Sequence, residues 1–317
     1  MAFPAVLNIN YSDVYETGTV QLYPIGQTGI TPDGSIFRYA EIGATVGVAN
    51  KMYQSEGPTA NWLSQAATTA LVVGDTTIGF TDGGTAVAVN ELAGGTVLVE
   101  ETDDLGHIYR IKSNTVSAGA AAFILTLENG VTVQVAVAVA GGNVLSLIKN
   151  PYKDIIIAPT TLTTTVVGIP RVIIAANAYG WVQTRGVASC LVAGTMVVGR
   201  AVSPATAAAG ALGPARASGT ATVLSAQTTI AVTHGLGGTP ILGNIKIVGG
   251  ENATTPVDKL PWVDTIGATQ FTINVTADPG VSNQDFGWEA SLATEPVGYC
   301  VEVAPTGDFG HVFLNLN

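Results

Sequence analysis

The chain has 317 residues, 47% of them hydrophobic and only 11% charged, against roughly 25% charged in ordinary globular proteins. Twelve basic and 23 acidic residues leave a net charge of −11, and the six Lys and six Arg occur singly between Arg38 and Lys259. A surface that neutralises phosphates needs these residues clustered, so nucleic-acid binding and docking on an anionic membrane are not expected. So little charge leaves a surface of hydroxyls and amides, or one largely covered by other chains; we expect both, with oligomerisation the larger part. The length suggests about two or three domains.

Taken in chain order, MAFPAVLNINY has no basic leading region and too short an apolar run for a secretory signal. Residues 1–60 lack a clean core pattern and carry aromatic side chains among Gly, Pro and Thr. Two readings stand: a loop-rich lobe packed on its own domain, or an extended arm that orders against a neighbouring subunit. Tyrosine joins an apolar ring to a polar tip and suits contact surfaces, so the second reading makes Tyr11, Tyr15, Tyr23, Phe37, Tyr39 and Tyr53 interface residues. Within this region Pro32-Asp33-Gly34 is a turn signal. After it Ile36, Arg38, Ala40 and Ile42 alternate with Phe37, Tyr39, Glu41 and Gly43, the period of a strand. NWLSQAATTA, from Asn61 to Ala70, is the best candidate for a short helix.

From Leu71 the chain reads as successive strands bounded by Gly, Asn or Asp, with hairpin-type turns at Asp82-Gly83-Gly84 and Asn129-Gly130. The uncharged span between Glu128 and Lys149 is close to membrane-crossing length. Its VTVQVAVAVA portion has period two and Gly141-Gly142-Asn143 breaks it, so strand plus turn is expected. Pro151 and Pro159 punctuate a boundary that closes a β domain of residues 61–159. A second β segment runs from Thr160 to about Val202, followed by a small-residue loop, SPATAAAGALGPARASG, from Ser203 to Gly219. Further strands run to Ala293, and the last stretch returns to the style of Val166–Val202. No long helix is expected anywhere, and short strands recur with turn signals at about ten-residue spacing, the pattern of an all-β sandwich or barrel.

Reactive side chains are sparse. The acidic run Glu100-Glu101-Thr102-Asp103-Asp104 with His107 is the best metal candidate, but its order does not match an EF-hand loop. Its alternating flanks make a solvated hairpin tip the expected reading. His107, His234 and His311 lie far apart, with no spacing for zinc. Cys190 and Cys300 suit free buried thiols in a reducing compartment. HGLGGTP, from His234 to Pro240, has the glycines of a phosphate loop without its Lys. No nucleophile elbow, P-loop or dinucleotide fingerprint is present. No catalytic residue, metal or cofactor is expected; a glycan hydrolase built from paired carboxylates needs no motif and stays a third reading.

Three pieces of the chain resemble tailed-bacteriophage virion proteins. GQTGITPDGSIFRYAEIG is similar to the N-terminal region of phage structural proteins. The stretch from RIKSN through LIKNPYKDIIIAPTTLTTTVVGIPRVIIAANAYGWVQTRGVASCLVAGTMVVGRAV resembles phage structural proteins as well, and its AGTMVVGRAV strands, with VGYCVEVA and GDFGHVFLNL, are similar to small capsid decoration proteins built on a compact β-barrel. TTIAVTHGLGGTP, FTINVTADPG and FGWEA resemble a β-sandwich module attached to many phage head and tail proteins. The resemblance implies an all-β chain with a small β-barrel core made of 160–218 and 296–317, an inserted β-sandwich at 219–295, the β domain 61–159 and the N-terminal arm 1–60. It would place Cys190 and Cys300 in one small domain. It also implies a homotrimer that decorates and stabilises the capsid through the major capsid protein, on the virion surface after assembly in the host cytoplasm. A tail or head fibre contacting the host surface through 219–295 is the alternative. Trp262 and Trp288 would then meet a ligand; otherwise they are core or strand-edge residues.

Overall fold

The computed structural model describes residues 4–100, 103, 105–139, 143–249, 260–280 and 283–316. The chain is all-β, with 42% of residues in strands and 3% in helix. Among the described residues the helical part is three single 3-10 turns.

The largest sheet has 11 strands and curls as a half-barrel. Its main path runs Val6–Asn8, Thr28–Ile30, Ile36–Glu41, Tyr179–Leu191, Phe309–Asn315, Gly298–Cys300, Ala201–Pro204 and Leu212–Pro214. The long central strand, Tyr179–Leu191, therefore pairs with Ile36–Glu41 along one part and with the C-terminal strand along the other. Its register against Ile36–Glu41 shifts between Gln183 and Arg185, a bulge that turns the strand from one neighbour towards the other. Cross-strand burial holds this seam: Trp181 stands opposite Tyr39 in register, and Phe37, Tyr39 and Trp181 are buried in one cluster with Ile9 and Val14.

Of the two readings of residues 1–60, the described part takes the lobe packed on its own chain. Phe37, Tyr39 and Tyr53 are core residues, exposed by no more than 4%. They cannot present contact surface, which corrects the expectation that they form an interface. Tyr23 is half-buried against the same cluster, whereas Tyr11 and Tyr15 are more than half exposed. The turn at Pro32-Asp33-Gly34 forms: Gly34 has φ +79° and its N–H donates to Thr31 O. Asp33 accepts from the Thr31 and Ser35 hydroxyls, and these bonds hold its carboxyl below the usual range.

The six-stranded sheet is made of Gln65–Ala66, Val144–Ile148, Thr96–Val99, Ile108–Asn114, Ala122–Leu127 and Thr77–Thr81. Its core contains Trp62, Phe80, Phe123, Ile111 and Leu145. The expected helix from Asn61 to Ala70 is absent. One 3-10 turn, Ala60–Trp62, leads into the strand Gln65–Ala66, because tertiary bonds outbid helix propensity there: Trp62 is buried with its indole N–H on Thr85 O, and Gln65–Ala66 pairs with Val144-Leu145. Of the VTVQVAVAVA span, residues 131–139 form no strand but one isolated bridge of Val137 to Leu71, while Ala140, Gly141 and Gly142 lie outside the described residues. Val133 and Val137 are buried, Val135 and Val139 are exposed, and its backbone bonds go to Leu71, Gly74 and Asp75. Asn129-Gly130 and Asp82-Gly83-Gly84 turn the chain with positive φ at Gly130 and Gly84, yet neither joins two strands that pair with each other. No helix among the described residues is long and apolar enough to cross a membrane.

Residues from Arg216 to Ser291 form two three-stranded sheets packed on one core around Phe271, Phe286 and Trp288. Arg216 and Ser291 face each other in register, so this unit is entered and left on neighbouring strands. The Ser203–Gly219 stretch is more ordered than expected. Ala201–Pro204 and Leu212–Pro214 make an antiparallel pair, and its alanines bury closely against Ala193, which small side chains allow.

A charge cluster ties the six-stranded sheet to the half-barrel sheet. The Lys149 side chain is 14% exposed, and its ammonium lies 2.7 Å from Glu56, 2.9 Å from Glu91 and 2.8 Å from Asp154. It also stands 5.4 Å from the centre of the Trp62 ring.

Candidate contact face

Strands that border solvent normally alternate apolar inward and polar outward. The long strand, the C-terminal strand and Gly298–Cys300 do not follow this rule. Inward they bury Ala188, Cys190, Val312, Leu314 and Cys300. Outward, Val187 pairs with Phe313 and Phe313 with Tyr299, so these three side chains form one row across three strands. Leu191 pairs with Phe309 one end further along, and the exposed Val301 and Val303 follow the strand Gly298–Cys300 in the chain. Val187, Phe313, Tyr299, Phe309, Val301 and Val303 are 39–52% exposed. Half-exposed aromatic and valine side chains in that number leave roughly 500 Å² of apolar surface open.

One pair of polar side chains on this face is in direct contact. His311 Nδ1 meets the Glu302 carboxylate, and Ser189 stands beside His311 in register. Arg185 and Asn315 form the adjoining pair at one end. The apolar row gives a matching patch on another protein a water-excluding centre with these polar groups around it. Sequence reasoning missed it because the long strand Tyr179–Leu191 is distant in sequence from the other two, although Val312-Phe313-Leu314 carries the signal: apolar residues on both strand faces.

The other singled-out residues do not assemble into a reactive site. His234 is buried, which lowers its pKa despite the bond to Gly267 O; its Nδ1 accepts from Leu236 N–H and its Nε2 donates to Gly267 O. Asp82 is buried as well, which raises its pKa, but the Ser117 hydroxyl and the Gly84 and Ala120 N–H groups together outweigh that and keep it ionised. This carboxylate organises a turn. Within the acidic run, Glu101, Thr102 and Asp104 lie outside the described residues; Glu100 accepts from Ser64 Oγ and Asp103 from the Asn143 amide. Among the described residues no three His, Cys, Asp or Glu side chains are grouped to hold a metal. Trp288 is buried in the sandwich core, whereas Trp262 is 48% exposed on an edge strand.

Cys190 and Cys300 share one core cluster but are separated by the C-terminal strand. Both are free and buried; burial pushes the Cys190 thiol up to about 12 and also raises that of Cys300. Since the thiolate is the reactive form, a thiol reagent at neutral pH is expected to label neither cysteine in the native chain and both after unfolding in guanidinium. Fast labelling of the native protein would show that this core opens.

No family model matches the chain, and neither a curated protein nor a solved structure matches it.

Proposed function

We propose that the chain is a structural protein of a tailed-phage virion that decorates and braces the capsid, held by contacts with the major capsid protein and with its own copies, as a homotrimer. The observation that carries this reading is the apolar row Val187, Phe313 and Tyr299 on the outside of the half-barrel sheet. A stable interface buries about 800 Å² per partner around an apolar centre, and this face supplies such a centre. The low charge of 11% fits a molecule whose surface is covered repeatedly in a lattice, where modest contacts add up through avidity. The sequence resemblance set out above supports the same reading.

The test is Phe313→Asp, with Val187→Thr as a milder variant. The wild-type chain is expected to run as an oligomer by light scattering and to coat undecorated capsids. A charge at the centre of the row should weaken both by at least about thirtyfold, with the melting temperature little changed because Phe313 faces outward. A wild-type chain that stays monomeric and leaves capsids bare would overturn the proposal. A second reading, a fibre contacting the host surface, draws on the exposed Trp262; binding of host-surface glycan lost in Trp262→Ala, with only tens of copies per virion, would favour it.

A further inference from the structure

Three of the twelve cationic side chains, Arg110, Lys112 and Lys153, line a single cleft of about 490 Å³. One wall is the N-terminal segment around Tyr23; the other is the outer face of the strand Ile108–Asn114. Arg110 and Lys112 are two apart on that strand and both exposed, so they project from one face about 7 Å apart. The Lys153 ammonium lies 3.1 Å from Glu41 and that of Lys112 3.0 Å from Asn129 Oδ1. Arg110 has no ion-pair partner among the described residues, and its guanidinium lies beside Gly94, where an added Cβ would stand 3.7 Å from it. Among the described residues lining the cleft, Glu128 alone is acidic. Lys153 is paired with Glu41, so Arg110 and Lys112 carry the positive charge the cleft presents beside Glu128.

We propose that this cleft binds a small multivalent oxyanion, a polycarboxylate, phosphate or sulfate. Its acid groups meet the Arg110 guanidinium, which offers a bidentate fork, and the ammonium groups of Lys112 and Lys153. Pockets of this kind form where two parts of a fold meet, and Tyr23 and Tyr179 complete the lining on the side of the N-terminal segment. The inference is independent of the capsid reading, since it concerns a different surface.

The experiment is calorimetric titration of the full chain with citrate, inorganic phosphate and sulfate, at ionic strength held constant with sodium chloride. Saturable binding of at least one probe is expected, weakening as chloride is raised. Arg110→Gln should weaken it about tenfold, and Arg110→Gln with Lys112→Gln about a hundredfold. Both side chains are exposed, so the unliganded melting temperature of the variants should match the wild type. A preference for citrate would assign a polycarboxylate, and a preference for phosphate or sulfate a tetrahedral oxyanion. Heats no larger than those of chloride for all three probes, or full affinity kept in the double variant, would overturn the proposal.

Discussion

Trp181→Ala is expected to destabilise the chain by about 3–5 kcal/mol, the range for deleting a fully buried aromatic side chain and leaving a cavity. The ring is 2% exposed and is the anchor on which the N-terminal lobe closes. Its centre lies 5.2 Å from that of Tyr39 and 5.4 Å from that of Tyr23. Gly29 lies so near that an added Cβ would stand 3.0 Å from the indole and 2.7 Å from Ile9. Removing the indole therefore takes away the common contact of several segments, and residues 6–30 should become the first site of limited proteolysis. Equilibrium unfolding in urea measures the loss. A change below about 1 kcal/mol, the size of an ordinary surface substitution, would mean that other contacts hold the lobe.

Lys149→Met is expected to cost about 2–3 kcal/mol, less than the ~3–5 of a fully buried pair because Glu56 is 42% exposed. The loss arises less from a missing attraction than from leaving Glu56, Glu91 and Asp154 facing one another without a cation. Burial by itself would lower the Lys149 pKa, but the bonds to Asp154, Glu56 and Glu91 raise it above the ordinary lysine value. A group whose pKa rises on folding stabilises the protein fully below its unfolded value, about 10.4 for lysine, and loses that contribution as pH climbs through the folded value. The difference between wild type and Lys149→Met should thus be constant from neutral pH to about pH 9 and shrink in strong alkali. A difference that disappears on mild acidification alone would instead assign the effect to the carboxylates.

These two sites bear on how the chain is braced. Trp181 joins the N-terminal strands to the long strand, and Lys149 joins Glu56 and Asp154 to Glu91 in the six-stranded region. Both lie away from the outward row of Val187, Phe313 and Tyr299, so loss of stability and loss of assembly can be separated by experiment. If assembly fails only in the Phe313 variants and unfolding is eased only in the Trp181 and Lys149 variants, the two functions of the fold are distinct.

Local chemistry in the sequence determined the all-β class, the turn at Pro32-Asp33-Gly34 and the strand after it. Those features depend on a period of two and on which residues tolerate positive φ, and both are carried by neighbours in the chain. Tertiary structure alone decided which face of Ile36–Glu41 is buried: the tyrosine and phenylalanine there suited either a contact surface or a core until Trp181 supplied a partner. The same holds for Asn61–Ala70, where pairing with Val144-Leu145 overrode a weak helical pattern. Arg110 and Lys112 are near neighbours on one strand, but only the fold brings Lys153 to the same cleft. Val187 joins Tyr299 and Phe313 in one row only when its strand, far from theirs in sequence, lies beside them. Strand propensity is local, but the partner of each strand is chosen by burial summed over the whole sheet, and the outward row of Val187, Phe313 and Tyr299 is a product of that choice.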